Sequence, residues 1–387
     1  MIDKKQYNAS VDILLNATTN KGFIAAITDT ANYKRVWTRD GTISIIAAIF
    51  SGNETLLATA QQTIKTIFNH QHKSGFMPSN VNVANDGVSY GGTVGRVDNP
   101  SWAVIALCLY TTHTNDNSLK TKYFAKVKKC FALLDAWEFN GKHLIYTPQS
   151  GDWADEYIHH GYTLFNQLLR VWALQLAAKL YDKNEYLTKA NDIIKVVEQN
   201  FWRHKKQEFY CENLKHLMPE EESQYWLMGF NPSRVYSYFD LQANALALYL
   251  EIGTKQQQQS IIKFIKTYLS TATFQLLPSF YPTIKIKDDD MKNLEHNYAF
   301  EFRNYPNQFH NGGLWQVWNG LMVMALNKQK QTKLASIITQ QIHIANTLNN
   351  SFNECIDAKK IQPCGINFCT WSAAGAVIAE NSFDKVI

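Results

Sequence analysis

Apolar residues fall along this chain in two helical patterns. In the first, they recur near every 3.6 residues: Leu56, Ala60, Ile64, Ile67 and Phe68; Tyr123, Val127, Cys130, Phe131 and Leu134; Tyr186, Ala190, Ile193, Val197 and Phe201; Ile261, Phe264, Ile265, Tyr268 and Leu269; Leu334, Ile337, Ile338 and Ile342. Lys and Gln fill the remaining faces, which predicts amphipathic helices buried on one side. In the second, the stretches are apolar nearly all round: Ile43 to Phe50, Val104 to Tyr110, Leu168 to Leu180, Ala243 to Leu250, Leu314 to Leu326 and Ala373 to Ala379. Such helices must be covered on every side. The two kinds alternate, with buried-type helices beginning near residues 41, 101, 162, 240, 313 and 371. Six buried helices ringed by six amphipathic ones is the arithmetic of an all-α (α/α)6 toroid, in which each helical pair buries its inner face against its neighbours. Val, Ile and Thr are not gathered into alternating runs, which argues against an α/β fold. No linker-like stretch divides the chain, so one domain over 1–387 is expected.

The connections are unequal. Those leading into the buried helices are long, at roughly 18–40, 70–100, 136–161, 203–238, 271–312 and 352–370; those leaving them are short, as at Ser51-Gly52-Asn53, Asn115-Asp116-Asn117, Asp182-Lys183-Asn184 and Gly253-Thr254. The long loops therefore gather at one end, over the N-termini of the inner helices. Unstructured connections above ~12–15 residues usually carry function. Inner-helix N-termini also offer unpaired N–H groups and partial positive charge to that mouth, which suits carboxylates and hydroxyls. The run Gln256 to Gln259 reads as an exposed helix start.

Composition narrows the classes. Ten Trp, 19 Tyr and 21 Phe exclude intrinsic disorder, and 18 Gly with 9 Pro exclude collagen-like sequence. The net charge of +5 comes without a Lys/Arg block, so no nucleic-acid footprint is present. No apolar run approaches the ~18 residues of a membrane span, and Met1-Ile2-Asp3-Lys4-Lys5 leads into no signal core. Six cysteines (Cys108, Cys130, Cys211, Cys355, Cys364, Cys369) make neither a disulfide framework nor a metal site by spacing. A cytoplasmic protein without membrane or nucleic-acid partner is the expectation, and a homo-oligomer is compatible with it. Metal and cofactor are not expected: His159 and His160 are adjacent, His70 and His72 lack a nearby carboxylate, and Asp288 to Asp290 reads as a solvated turn rather than a calcium loop.

The long loops hold the chemistry. They contain Trp37-Thr38-Arg39-Asp40, Gly95-Arg96-Val97-Asp98 with Ser101 and Trp102, Gly151-Asp152-Trp153-Ala154-Asp155-Glu156, Phe239-Asp240-Leu241-Gln242, Phe309-His310-Asn311-Gly312-Gly313-Leu314-Trp315, and Thr370-Trp371-Ser372. An Asp near a helix start often serves only as an N-cap. The combination says more, because nearly every loop pairs a carboxylate, amide or imidazole with Trp or Tyr. Sugars are bound by such mixtures, through aromatic faces and charge-assisted hydrogen bonds to hydroxyls. Glycoside hydrolysis additionally needs one protonated and one ionised carboxyl group. Asp155, between Trp153 and Tyr157, has aromatic sequence neighbours suited to the first role, with Asp152 as a hydroxyl ligand.

These strings, in this order, resemble the inverting (α/α)6 glycoside hydrolases, most closely the neutral/alkaline invertase family. Arg39-Asp40 resembles the Arg-Asp of that family and of glucoamylases. Gly95 to Asp98 is similar to the family's Gly-Arg-Val-Ala-Pro-Val-Asp-Ser, with residues missing. His310 to Trp315 matches Tyr-His-Asn-Gly-Gly-x-Trp with Phe309 for the Tyr, and Thr370 to Gly375 resembles Thr-Trp-Ser-Ile-Ala-Gly. The resemblance implies a general acid in the third long loop. The family has Met-Ile-Asp-Arg-Arg there, and the Trp-Met-Asp of debranching enzymes fits Asp155, with Asp152 the alternative. It implies a Glu base upstream of His310: Glu295 by invertase spacing or Glu301 by trehalase spacing. Arg39, Asp40, Asp98, Asp240, Gln242, His310 and Asn311 would then hold the sugar, with Trp37, Trp102, Trp153, Trp315 and Trp371 as walls.

The expected protein is thus a cofactor-free inverting glycoside hydrolase acting on a small carbohydrate, sucrose first and an α-glucoside second. Two other readings remain open. A sugar 2-epimerase or isomerase on the same barrel wants His as acid and base, and His310 is one candidate. A sugar-binding protein without turnover needs only the binding set.

Overall fold

The computed structural model describes residues 4–203, 209–298 and 300–383, so Met1–Asp3 and part of the fourth long loop lie outside it. In chain order the described helices are α1 (Lys4–Asn16), α2 (Thr38–Ser51), α3 (Glu54–Asn69), α4 (Asn99–Thr114), α5 (Asn117–Ala136), α6 (Leu164–Tyr181), α7 (Asn184–Asn200), α8 (Glu212–Leu217), α9 (Leu241–Tyr249), α10 (Lys255–Thr271), α11 (Asp290–Glu295), α12 (Gln316–Lys328), α13 (Thr332–Thr347) and α14 (Thr370–Asn381). The inner ring runs α2, α4, α6, α9, α12, α14, and α14 packs back on α2 to close it. This is the (α/α)6 toroid. Its inner helices are the six all-apolar stretches; α4, for instance, is buried without a break from Asn99 to Thr111.

Short turns join the first five inner helices to their outer partners. After α2, Gly52 adopts φ 67° and caps the helix on the Ala48 carbonyl, and the Asn53 side chain accepts from the Leu56 N–H to start α3. A left-handed C-cap followed at once by an N-cap reverses the chain with little loop. The Gln run forms the first turn of α10, where Thr254 and Gln257 make a capping box.

The sixth outer helix is α1, which packs on α14. It buries only Ser10, Ile13 and Leu14, a face too narrow to register as periodicity. The tightest inner contact joins α12 to α14. A Cβ on Gly375 would stand 2.8 Å from Val317 Cα, so the backbones meet where no side chain fits.

The long loops carry short antiparallel sheets that sequence alternation did not reveal. Arg35–Trp37 pairs with Asn80–Asn82, which pairs with Val88–Ser89. Tyr162–Thr163, Leu227–Asn231, Arg234–Asp240 and Phe280–Tyr281 form one four-stranded sheet across three loops. Most of these strands have two or three residues, too few for a period-2 signal. In the last loop, Cys355–Asp357 pairs with Gln362–Cys364, which sets the two cysteine Cα atoms 5.2 Å apart as a disulfide. One pair is not a disulfide framework, and strand pairing, not spacing, brings these two together. Asp290 is also not a solvated turn: Arg234 grips both its oxygens at 2.6 and 2.8 Å and Tyr238 donates to it at 2.7 Å. Among the described residues, no helix is long and apolar enough to cross a membrane.

Candidate active site

The six long loops are stitched to one another around the mouth of the toroid. The Thr38 N–H donates to the Ser79 carbonyl at 3.1 Å, and Val97 N–H to Gly151 carbonyl at 2.7 Å. Tyr162 pairs with Phe230, and Phe239 with Tyr281, along the four-stranded sheet. Leu314 N–H donates to Ile356, and Thr370 N–H to Ala25, both at 2.9 Å. The last of these contacts returns to the first loop, so the loops form a closed collar.

Inside the collar lies Arg39, in the first turn of α2. Its guanidinium is 3.3 Å from Asp40 and 4.0 Å from Asp98, and sits 5.1 Å over the ring of Trp371. Burial works against its charge, but Asp40, Asp98, Asp155 and Tyr33 outweigh that and hold it protonated. Asp155 is tied on its other side to Arg96, which donates at 2.7 Å.

Each of the six mouth segments places at least one buried polar atom here without a protein hydrogen-bond partner. They include Arg39 Nε and Asp40 Oδ2, both oxygens of Asp98, Trp153 Nε1 and His159 Nδ1, Asp240 Oδ2 with both amide atoms of Gln242, His310 Nδ1 with both amide atoms of Gln316, and Trp371 Nε1. Buried polar groups are paired in the large majority of cases, so such a concentration marks a place made for a polar ligand. N-capping does not explain the carboxylates. Among Asp40, Asp98 and Asp240, only Asp240 caps its helix, accepting from Ala243 N–H at 2.9 Å, and even it keeps one oxygen unpaired.

Burial sets the protonation of the cluster. It raises Asp98 to about 6 against the pull of Arg39, and Asp240 to about 7 against the Ala243 N–H and His159. Asp40 is raised by burial as well, with Arg39 opposing. Asp152 goes the other way. Burial would raise it, but His159, donating at 2.9 Å, and Asn166 at 3.1 Å hold it below the usual range. His159 is correspondingly raised by Asp152 in spite of burial, and His310 is pushed far down by burial and by Arg303, His159 and Arg39.

The sequence-expected residues divide. Arg39, Asp40, Asp98, Asp152, Asp240, Gln242 and His310 are buried or nearly so within the collar, and Asp155 is partly exposed beside Arg96. Asn311 is fully buried, and its amide is used on backbone: it accepts from Ile284 N–H and donates to the Ile284 and Asn304 carbonyls. Trp102 is fully enclosed against Phe165 and Trp172, inside the barrel and not along a wall. Trp153, Trp315 and Trp371 pack among themselves, Trp318 and His310 as the floor, while Trp37 is half-exposed near Tyr33 and donates to the Asn32 carbonyl. Glu295 and Glu301 are exposed, and neither makes a described hydrogen bond or ion pair with the cluster.

Sequence reasoning missed Glu354. It is buried at the start of the disulfide-bridged hairpin, accepting from Tyr33 hydroxyl at 2.6 Å and Ile366 N–H at 3.2 Å. Burial raises its pKa, with the Tyr33 bond opposing, and Arg303 and Asp40 lie within electrostatic reach. Its signal was available: it is the single Glu between Phe352 and Cys369 in the sixth loop. Gln316, following Trp315 at a helix start as Gln242 follows Leu241, was also legible.

The profile of the alkaline and neutral invertase family matches residues 205–385. No curated protein matches the chain. Solved structures do. The GH63 mannosylglycerate hydrolase from Thermus thermophilus, in complex with Tris and D-glycerate, superimposes with a TM-score of 0.71 at 13% identity, covering 96% of this chain and 99% of that one. The chain has the six-hairpin glycosidase fold. A rhamnosidase from Klebsiella oxytoca with rhamnose bound gives 0.65 at 14% identity, over 97% of this chain and 64% of that one. A glucoamylase from Saccharomycopsis fibuligera gives 0.62 at 14%, over 98% and 94%. In this chain the long loops lead into the N-termini of the inner helices, where the Arg39 cluster sits.

Proposed function

We propose that this chain is a single catalytic unit, an inverting glycoside hydrolase that removes a glucosyl unit from a small saccharide, a sucrose-like disaccharide or short α-glucoside. The reading is carried by one observation: each of the six mouth segments holds buried polar atoms without a protein hydrogen-bond partner, beside packed tryptophans. A neutral polyol meets that demand, because each hydroxyl both donates and accepts. The match to the invertase family and the hydrolase and glucoamylase among the structural relatives support the same class.

Asp155 is the proposed acid and Glu354 the base, in place of Glu295 or Glu301. Glu354 takes a proton from a water; the water oxygen bonds to the anomeric carbon as the glycosidic C–O bond breaks; the leaving oxygen receives the proton of Asp155. One water is consumed and two hydroxyl compounds result, so the chemistry requires no cofactor. An inverting enzyme holds these carboxyl groups about 6.5–9.5 Å apart to admit the water. Arg39, Asp40, Asp98, Asp240, Gln242, Gln316 and His310 are the proposed sugar ligands.

The test is incubation with sucrose, trehalose, maltose, isomaltose and kojibiose, with NMR of the first anomer released. A first product of inverted configuration supports the reading; inertness toward every sugar removes it, and a retained anomer removes the mechanism alone.

A sugar isomerase or epimerase is the second reading, favoured by two imidazoles at the same mouth, His159 raised by Asp152 against burial and His310 pushed far down by burial. It predicts interconversion of a free monosaccharide with no new reducing end.

A further inference from the structure

Asn297 and Asn304 belong to the fifth long loop, but both are anchored to the third. Asn297 Nδ2 donates to the Tyr157 carbonyl at 2.7 Å and its Oδ1 accepts from Ser150 Oγ at 2.9 Å. At the other end, Asn304 Nδ2 donates to the Glu156 carbonyl at 2.9 Å, and Arg303 Nη2 pairs with Glu156 Oε1 at 3.1 Å. Asn304 is fully buried and Asn297 nearly so, so both anchors are built into the collar. Their partners, Glu156 and Tyr157, directly follow Asp155. The arch therefore stands beside the proposed acid.

Between the anchors, Phe302 and Arg303 are half-buried, while the other described side chains are exposed. Phe300 is 96% exposed and Tyr298 45%, with Tyr305 at 50% just beyond. Phe302 joins them edge-on, 5.6 Å from Tyr298 and 4.9 Å from Tyr305. A loop serving only to cover the third loop would turn these rings inward, because exposing contiguous aromatic surface is costly. The occupant is fixed by the position of Asp155. An acid that protonates the leaving oxygen has the leaving group on its own side, and a sugar ring offers a C–H face that stacks on Tyr and Phe.

We infer that Tyr298, Phe300, Phe302 and Tyr305 form the platform for the leaving-group sugar. This rests on the assignment of Asp155 as the acid in the proposed hydrolase. The arch supplies binding to the departing saccharide and takes no part in the bond-breaking step.

The test uses the full chain and the double variant Tyr298→Ala/Phe300→Ala, whose exposed positions leave the melting temperature unchanged. The substrates are sucrose, maltose and maltotriose against α-D-glucosyl fluoride, whose leaving group has no ring to stack. KM rises about tenfold on each saccharide the wild type cleaves, while the rate on the fluoride stays within about twofold. An equal loss on fluoride and saccharide, or no loss on either, overturns the platform and leaves the hydrolase standing. A wild type inert toward all four removes the hydrolase reading, and the platform with it.

Discussion

Tyr33 and Glu354, from the first and last long loops and 321 residues apart in sequence, meet through a 2.6 Å hydrogen bond that the phenol donates. The bond acts on the carboxyl group that burial has raised, and pulls it down. A base must be ionised to accept a proton from water, so the acidic limb of the kcat/KM profile should report Glu354 and lie above the ordinary Glu value of about 4.3. Tyr33→Phe removes the group favouring the ionised form. The limb should then move to still higher pH, with the alkaline limb unmoved. A profile that falls evenly at all pH values would show Tyr33 to be structural only.

Asp98 presents two buried oxygens with no hydrogen-bond partner, 4.0 Å from Arg39 at the nearest. Its folded pKa of about 6 exceeds the unfolded value of about 3.9. The native state therefore holds more protons than the unfolded state between those values, and stability falls as pH rises through that window. Asp98→Asn is free of this loss. Its melting temperature should equal wild type near pH 4 and exceed it at pH 7. Activity should move the opposite way, with kcat/KM on the best disaccharide down about ten- to hundredfold, the worth of one charged hydrogen bond. A variant that is both less stable and less active at pH 7 would make Asp98 a scaffold residue.

How far the sequence reached depends on whether a feature is local. The six inner helices were legible because full burial writes an unbroken apolar run, as from Ile43 to Phe50. Helix α1 was not, since three buried residues on a polar helix leave no period. The collar strands were too short to alternate, and the Cys355–Cys364 pairing depends on the turn between them. Arg39, Asp98 and Asp240, proposed as sugar ligands, stand at helix starts that periodicity had already located. Glu354 was missed because its neighbours, Tyr33 and Arg303, come from other loops. A polar residue amid glycines can point to a sugar or tie its own loop, and the amide of Asn311 bonds Ile284 and Asn304 of its own loop.

His159 and Asp152 pair at 2.9 Å with side chains that are 2% exposed. Asp152 raises the imidazole against burial, so the contribution of His159 is fully present below its unfolded value of about 6.5 and is lost as pH rises through the higher folded value. His159→Gln should lower unfolding stability by about 3–5 kcal/mol at pH 6, the cost of stranding one buried partner. Urea denaturation at increasing pH should show the gap narrowing. A gap constant from pH 6 to 10 would mean that packing, and not the proton, is what His159 supplies.

The assignments of Asp155 and Glu354 differ in what they ask of the leaving group. A sugar alkoxide departs poorly unless protonated, whereas fluoride departs without help. Asp155→Asn should therefore lose about 10²–10⁴-fold in kcat on sucrose or maltose, the usual scale of general acid catalysis, and far less on α-D-glucosyl fluoride. Glu354→Gln has no such escape, because a water must be deprotonated whichever group leaves, so both substrates should slow by a similar factor. Exchange of the two patterns would exchange the roles. If Glu354→Gln retained wild-type rates on both, the base would have to be sought among the other raised carboxyls of the collar. Asp240 would then be first in line, with one oxygen capping α9 and the other unpaired.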